Sequence, residues 1–176
     1  MRYLRRGVEV VVMHPALVVA PNDTGWMGRL MADRLAGRRR FVSNAPLGWV
    51  SVWDAAKGLV LGGDRGRNGA RYVLSGETMS QRTFLSHVSR VGGRAAPVAL
   101  PSPIAFGRAV LSTAMATVSR RRPRLTVDEA RFVTRGFRVN GRSASASLGF
   151  EYTPVASYLP KVLESYDSAS RSRERA

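Results

Sequence analysis

Apolar residues crowd the start of the chain. From Val8 to Met13 only Glu9 interrupts them, the pattern of a strand covered on both faces, as parallel-sheet strands are. Residues Met1 to Arg6 read as the end of a helix closed by Gly7. After His14-Pro15 the apolar character resumes and stops at Pro21-Asn22-Asp23, a turn-forming triplet. The period then changes: Met27, Leu30, Met31 and Leu35 fall on one side of a helix predicted over Trp26 to Leu35 and stopped by Gly37. Trp49, Val50 and Val52 predict a short strand, with Asp54 as cap of a helix from Ala55 to about Leu61 that Gly62 and Gly63 end. A turn-rich connection from Asp64 to Gly69 leads to a strand over Arg71 to Leu74. Ser80 then caps a helix carrying Phe84, Leu85, Val88 and Val91 on one side.

Beyond Ala95 the alternation of strand and helix gives way. Pro97, Pro101 and Pro103 punctuate the chain, and a helix is predicted from Ile104 to Val118, with Pro103 at its first position. Thr126 and Glu129 form a capping box that opens another helix, ending near Gly136. Thr153-Pro154 starts a last helix running to about Tyr166, and the small and charged residues from Ser168 to Ala176 predict a disordered tail. The fold class is therefore α/β, with few parallel strands followed by a mainly helical part.

At 176 residues the chain has the length of about one domain, able to bury roughly 70% of the surface its unfolded form exposes. No apolar run approaches the ~18 residues of a membrane span. The apolar segment behind Arg2, Arg5 and Arg6 contains Glu9 and is broken by Pro15 and Pro21, so it makes a poor secretory signal and the expected compartment is the cytoplasm. With no cysteine, disulfides, thiolate zinc sites and thiol nucleophiles are excluded, and His14 and His87 are too few for a histidine metal cluster. The net charge of +16 invites a polyanionic partner. Only Lys57 and Lys161 are lysines among the 28 basic residues, however, which has the look of a compositional bias in favour of arginine. The dense clusters, Arg38 to Arg40 and Arg120 to Arg122 with Arg124, lie beside Gly37 or Pro123 without interleaved aromatics, the mark of solvated loops.

Few residues suggest chemistry directly. The stretch GGDRGRNG at 62 to 69 has the glycine density of a phosphate-cradling loop, but it follows a helix where such a loop must precede one. No Gly-x-Gly-x-x-Gly and no Gly-x-Ser-x-Gly occurs. His14 closes the first strand, at the edge where open α/β sheets place ligands, although a loop-capping role explains it as well. Asp54 is accounted for by its cap position, Asp128 and Glu129 by a helix first turn, and Glu9 and Glu151 as isolated surface carboxylates.

Four stretches taken in order carry a resemblance: VEVVVMHPALVVAPND, WVSVWDAAKGLVLGGDRGRNGARYVLSGETMSQRTFLSHVSRVGG, PRLTVDEAR and SASASLGFEYTPV. Together, over about residues 3 to 166, they resemble the second half of the extended short-chain dehydrogenases/reductases, the NAD-dependent epimerase/dehydratase family. Within it they look most like the dihydroflavonol-reductase-like and hopanoid-associated sugar-epimerase proteins. The resemblance implies the C-terminal part of a Rossmann-type fold. Residues 1–94 would be a remnant of the NAD(P)-binding domain with interleaved substrate-lobe segments, 95–167 a mainly helical substrate lobe, and 168–176 the tail.

The resemblance further implies NAD or NADP as cofactor and a reaction at a hydroxyl or carbonyl carbon of a small-molecule substrate such as a sugar nucleotide. In such enzymes a Tyr-x-x-x-Lys pair moves the proton, the lysine lowering the tyrosine's pKa. Pro15, Ala16, Leu17 and Val18 match the loop that lies against the nicotinamide, mainly through backbone groups, and Thr24 and Trp26 match positions beside the substrate. Ala20-Pro21 stands where Gly-Pro is usual, and Ser51 and Trp53 replace the usual neighbours of Asp54. Aligned in this way, Met1 falls just after the catalytic pair, and none of the five tyrosines has a lysine four residues on. No catalytic residue is thus assigned, and the expectation is that the chain alone binds nicotinamide poorly and is inactive. Three settings remain open: half of a reductase or epimerase, with an exposed strand edge through which a homo-oligomer could form; a subunit completed by a separate N-terminal polypeptide; or a basic module that binds nucleic acid or acidic surfaces.

Overall fold

The computed structural model describes residues 7–38, 41–101, 103–104, 107 and 135–174. The described residues form, in chain order, β1 (Val12–Pro15), β2 (Leu17–Val19), α1 (Trp26–Leu35), β3 (Phe41–Ser43), β4 (Pro46–Ser51), α2 (Val52–Arg65), β5 (Arg71–Leu74), β6 (Glu77–Ser80), α3 (Gln81–Val91), β7 (Val98–Leu100), α4 (Arg142–Leu148) and α5 (Val155–Glu174). The strands form parallel pairs, β1 with β5, β2 with β4 and β3 with β7, so the expected class, α/β with few parallel strands, holds. Among the described residues no helix is long and apolar enough to cross a membrane.

The chain gathers into two compact units, each assembled from separated segments. One comprises 1–29, 48–78 and 139–176, the other 30–47 and 79–138. Residues 139–166 belong to the unit that contains β1 and β5. In the first unit Tyr72, Leu74, Ala144, Leu148 and Phe150 form a core, with Val11, Met13 and Leu61 packed against it. In the second, β3 and β7 pair from Phe41 with Val98 to Ser43 with Leu100. Leu30, Met31, Val42, Leu47, Phe84, Leu85 and Val88 are buried there. The Gln81 carboxamide accepts the Ser43 amide at 3.0 Å, and buried Arg34 donates to Ser89 Oγ and to the Ala95 carbonyl.

Helix α2 is held to β1 and β5 by glycine. A side chain at Gly58 would meet Leu74, one at Gly62 would meet Met13 Sδ at 2.7 Å, and one at Gly66 would meet Val11 at 2.9 Å. Gly58 and Gly62, four apart, present bare backbone along one helix face, Gly66 continues it just past the helix end, and the strands' side chains fill the space.

Several elements depart from expectation, each for a physical reason. The first strand is Val12–Pro15, and none of its residues is fully buried, because it has one hydrogen-bonded neighbour, β5, and no second among the described residues. Val8, expected inside it, is 49% exposed. Gly62 and Gly63 do not end α2, which continues to Arg65, where the Gly66 amide donates to the Gly62 carbonyl at 3.0 Å. Asp54 is not the cap of α2: β4 extends through Ser51, so the cap falls there, and Ser51 Oγ accepts the Asp54 amide at 3.0 Å. The tail expected to be disordered continues α5 as helix to Glu174. The capping box at Thr126 to Glu129, most of the helix expected from Ile104, and Arg39, Arg40 and Arg120 to Arg124 lie outside the described residues.

Candidate functional site

The feature that organises the first unit is a fork between parallel strands. β1 and β5 run side by side from Val12 opposite Arg71 to Pro15 opposite Leu74, and the Ala16 amide still donates to the Leu74 carbonyl at 2.9 Å. Beyond that point both chains change partner. The first continues as β2, pairing Leu17 with Trp49, Val18 with Val50 and Val19 with Ser51; the second passes through Ser75 and Gly76 into β6. β4 lies between them in the order β2-β4-β6, and the Gly76 amide donates to the Trp49 carbonyl at 2.9 Å.

Gly48 occupies the crotch of this fork. A Cβ there would collide with Val139, with Ser75 Oγ at 2.8 Å and with Ala16 Cβ at 3.2 Å. Only a residue without a side chain lets β4 enter so close to the point where β1 and β5 part. The Ser75 hydroxyl at the same point is 1% exposed and makes no hydrogen bond. Diverging carboxyl ends of parallel strands are where open α/β sheets take ligands, because the parted strands leave a crevice lined by backbone and loop.

Pro15, Ala16, Leu17 and Val18 are brought together on one arm of the fork. Pro15 is exposed and Ala16, Leu17 and Val18 are half-buried, which makes an apolar edge without a charged group. His14 is also exposed on β1, opposite Val73. Past Val19 the loop from Ala20 to Gly25 leads into α1, with Asn22 in the left-handed region at φ 53°. Asp23 organises the turn: its carboxylate accepts the Gly25 amide at 2.7 Å and the Gly28 amide at 2.9 Å, an anion at a helix N-terminus. Thr24 is exposed, and its carbonyl accepts Arg29 Nη1 at 2.9 Å; Trp26, half-buried, begins α1.

A second group of polar residues surrounds the start of α5. The Asp54 carboxylate, 6% exposed, accepts the Thr153 amide at 2.9 Å and the Thr153 hydroxyl at 3.1 Å, and the Glu77 carboxylate accepts the Val155 amide. One turn on, the Tyr158 hydroxyl is buried without a partner, and burial, reinforced by the Glu77 and Asp54 carboxylates, pushes its phenol well above the usual range. Burial likewise raises Tyr152 and Tyr166. A proton-transferring tyrosine needs the opposite shift. Lys161, three residues after Tyr158, sits with Nζ 5.0 Å from the centre of the Trp53 ring.

The edge at Pro15 to Val18 is apolar and partly open to solvent, a lining compatible in chemistry with a flat, uncharged ring. A pyrophosphate does not fit the glycine-rich stretch at 62 to 69. It begins inside a helix and passes that helix's carboxyl end, where unpaired carbonyls repel anions. Of the dense basic clusters, only Arg38 is described, and it pairs with Asp33 at 3.0 Å. Sequence reasoning missed Gly48, Glu77, Ser165 and Tyr166. Ser51-x-x-Asp54, with a hydroxyl at the cap and an acid three residues on, was a readable signal for the true start of α2.

No family model matches the chain. It is 28% identical over 149 residues to the sterol demethylase protein B of Methylococcus capsulatus, a match covering 82% of this chain and 45% of that protein. The structure resembles that of a nucleoside-diphosphate-sugar epimerase from Pseudomonas aeruginosa with a TM-score of 0.71 and 23% identity, over 96% of this chain and 51% of the other. It also resembles a dTDP-glucose 4,6-dehydratase from Bacillus anthracis, solved with NAD, with a TM-score of 0.66 and 11% identity, over 94% and 47%. The chain thus spans about half the length of the proteins it matches. The likeness shows the fold alone: an α/β, Rossmann-type arrangement shared with about half the length of these structures.

Proposed function

We propose that the chain is the substrate-side half of an NAD(P)-dependent reductase or epimerase working in the cytoplasm at a hydroxyl or carbonyl carbon of a small molecule. The observation that carries this reading is the fork at Ala16. It puts Pro15, Ala16, Leu17 and Val18 at diverging strand ends, the position at which such folds receive a dinucleotide.

Bound there, the nicotinamide supplies hydride transfer. The chain's own part is to orient and to shield. Backbone groups of Pro15 to Val18 fix the ring, the alanine, leucine and valine side chains keep water from it, and Thr24 and Trp26 face the substrate. Proton transfer has no candidate here, since the described tyrosines with shifted phenols are all raised and no Tyr-x-x-x-Lys occurs in the sequence. The proposal therefore needs the phosphate-binding loop and the catalytic pair to come from other residues, in the same polypeptide or in a partner.

Co-expression with the N-terminal half of an extended reductase that carries both motifs tests this, with calorimetry as the readout. The expected result is a stable complex that takes up one equivalent of NADH or NADPH, while neither half alone saturates. Failure of the halves to associate, or tight nicotinamide binding by this chain alone, would overturn it.

A further inference from the structure

The loop that leads from the fork to Thr24 and Trp26 does not hold its shape alone. Its contacts go to the far end of the chain, 143 residues away. Ser165 Oγ donates to the Val162 carbonyl at 2.7 Å within α5, which leaves its lone pairs to accept the Asn22 amide at 2.9 Å. The Tyr166 hydroxyl accepts the Asp23 amide at 3.1 Å and directs its own proton at the Ala20 and Asp23 carbonyls, each at 3.3 Å. A Cβ at Gly28 would stand 2.9 Å from that hydroxyl and would strike the Asp23 carbonyl, so the first turn of α1 fits under Tyr166 only with glycine at this position. Ala20, the left-handed Asn22 and Asp23 are thereby tied to α5.

The near end of α5 is fixed as firmly. Asp54 of α2 holds Thr153 by two hydrogen bonds, and Glu77 of β6 holds the Val155 amide. Between the two ends Val155, Tyr158, Leu159, Val162 and Leu163 are buried. The helix is anchored at its start by carboxylates and carries at Ser165 and Tyr166 the hydroxyls that shape a loop distant in sequence.

We infer that α5 acts as a strut and that Ser165 and Tyr166 are positioning residues, setting through Asn22 and Asp23 where Thr24 and Trp26 stand. The inference rests on the reading of that loop as the substrate side of the site. Its structural content is independent of any cofactor. α5 carries Pro160 within it, which removes one helical hydrogen bond, and the burial of Val155, Tyr158, Leu159, Val162 and Leu163 on both sides of that residue is what holds its two ends in one position, whereas a loop with a left-handed residue and two turn-forming neighbours has other conformations within reach.

Amide hydrogen exchange of the full 176-residue chain, read residue by residue by NMR, tests it without ligand. Tyr166→Phe is expected to speed exchange at Asp23, and Ser165→Ala at Asn22, each roughly five- to tenfold, the loss of one hydrogen bond. Ser165→Thr, which keeps the hydroxyl, restores the Asn22 rate, and the Ala16 amide, bonded to Leu74, is unchanged in all three. Unchanged rates at Asn22 and Asp23 would overturn the inference. So would equal acceleration at Ala16, which would mark general loosening in place of local positioning. Should the chain fail to bind nicotinamide in its complemented form while these rates move as expected, the functional reading falls and the strut stands.

Discussion

Two glycine-bearing regions of the first unit invite opposite readings from sequence and from structure. GGDRGRNG, at 62 to 69, is dense in glycine and has the look of a ligand loop; Gly48 is a lone glycine between leucine and tryptophan. The dense stretch turns out to serve packing. Gly62 and Gly66 give Met13 and Val11 room against α2, and Gly63 meets nothing. Gly48 stands where β1 and β5 part and β4 enters, the place at which the proposed site is made. Density of glycine is a property of composition, while the consequence of a glycine depends on what a Cβ would strike.

Substitution at the two regions sharpens this contrast. Gly48→Val should be the most damaging change, because its collisions involve the β1 turn, Ser75 and Val139 together, and the fork must open to admit it. A loss of about 3 kcal/mol is expected in denaturant unfolding. Asp54→Ala comes next, at about 2 kcal/mol, since it strips a buried carboxylate from two donors at the start of α5; Asp54→Asn keeps an acceptor and should cost less.

Alkaline pH probes the phenols along α5 and just before it. The Tyr152, Tyr158 and Tyr166 phenols are raised in the folded state above their ordinary value of 10.0. The unfolded chain therefore releases these protons first. Their contribution to stability is complete below about pH 10 and falls as pH rises beyond it. Unfolding midpoints across that range, with phenolate absorbance followed in parallel, check the sign; an alkaline titration in which folded and unfolded chains ionise together would contradict it.

The smallest effect is opposite in sign. Gly63→Ala meets no atom within 4 Å and replaces glycine inside a helix, so it should stabilise by about 0.5–1 kcal/mol. Gly62→Ala, one residue away, must displace Met13 and should not. If the two variants behaved alike, the packing role given to the dense stretch would be wrong.

What the sequence made legible was mostly local. Trp26–Leu35 and Arg71–Leu74 have their expected bounds, and Ser80 caps α3 by accepting the Thr83 amide at 3.1 Å, because periodicity, turn residues and caps act over a few positions. The first strand was placed too early because the apolar run from Val8 is longer than the partner available to it. Pairing with Arg71 to Leu74, not hydrophobicity, sets where β1 lies. Asp54 was mistaken for a cap because its own ligands, Thr153 and its amide, are 99 residues away. Likewise nothing near Asn22 announces Ser165, and nothing near Trp49 announces that β4 will lie between β2 and β6. Pro15 to Val18 lie at the fork, but the fork itself is a property of three strands at once and has no signature in any of them.

The central claim is that this edge faces a nicotinamide, and a charge placed in it tests that most directly. In the complemented two-chain complex, Ala16→Asp sets a carboxylate against the ring's position, with Gly63→Ala as a control remote from it. Calorimetric titration with NADPH should show affinity at least tenfold weaker for Ala16→Asp, about 1.4 kcal/mol, with the complex intact and the control unchanged. Equal affinity in all three complexes would contradict the account, because it would mean that the fork at Ala16 does not meet the cofactor.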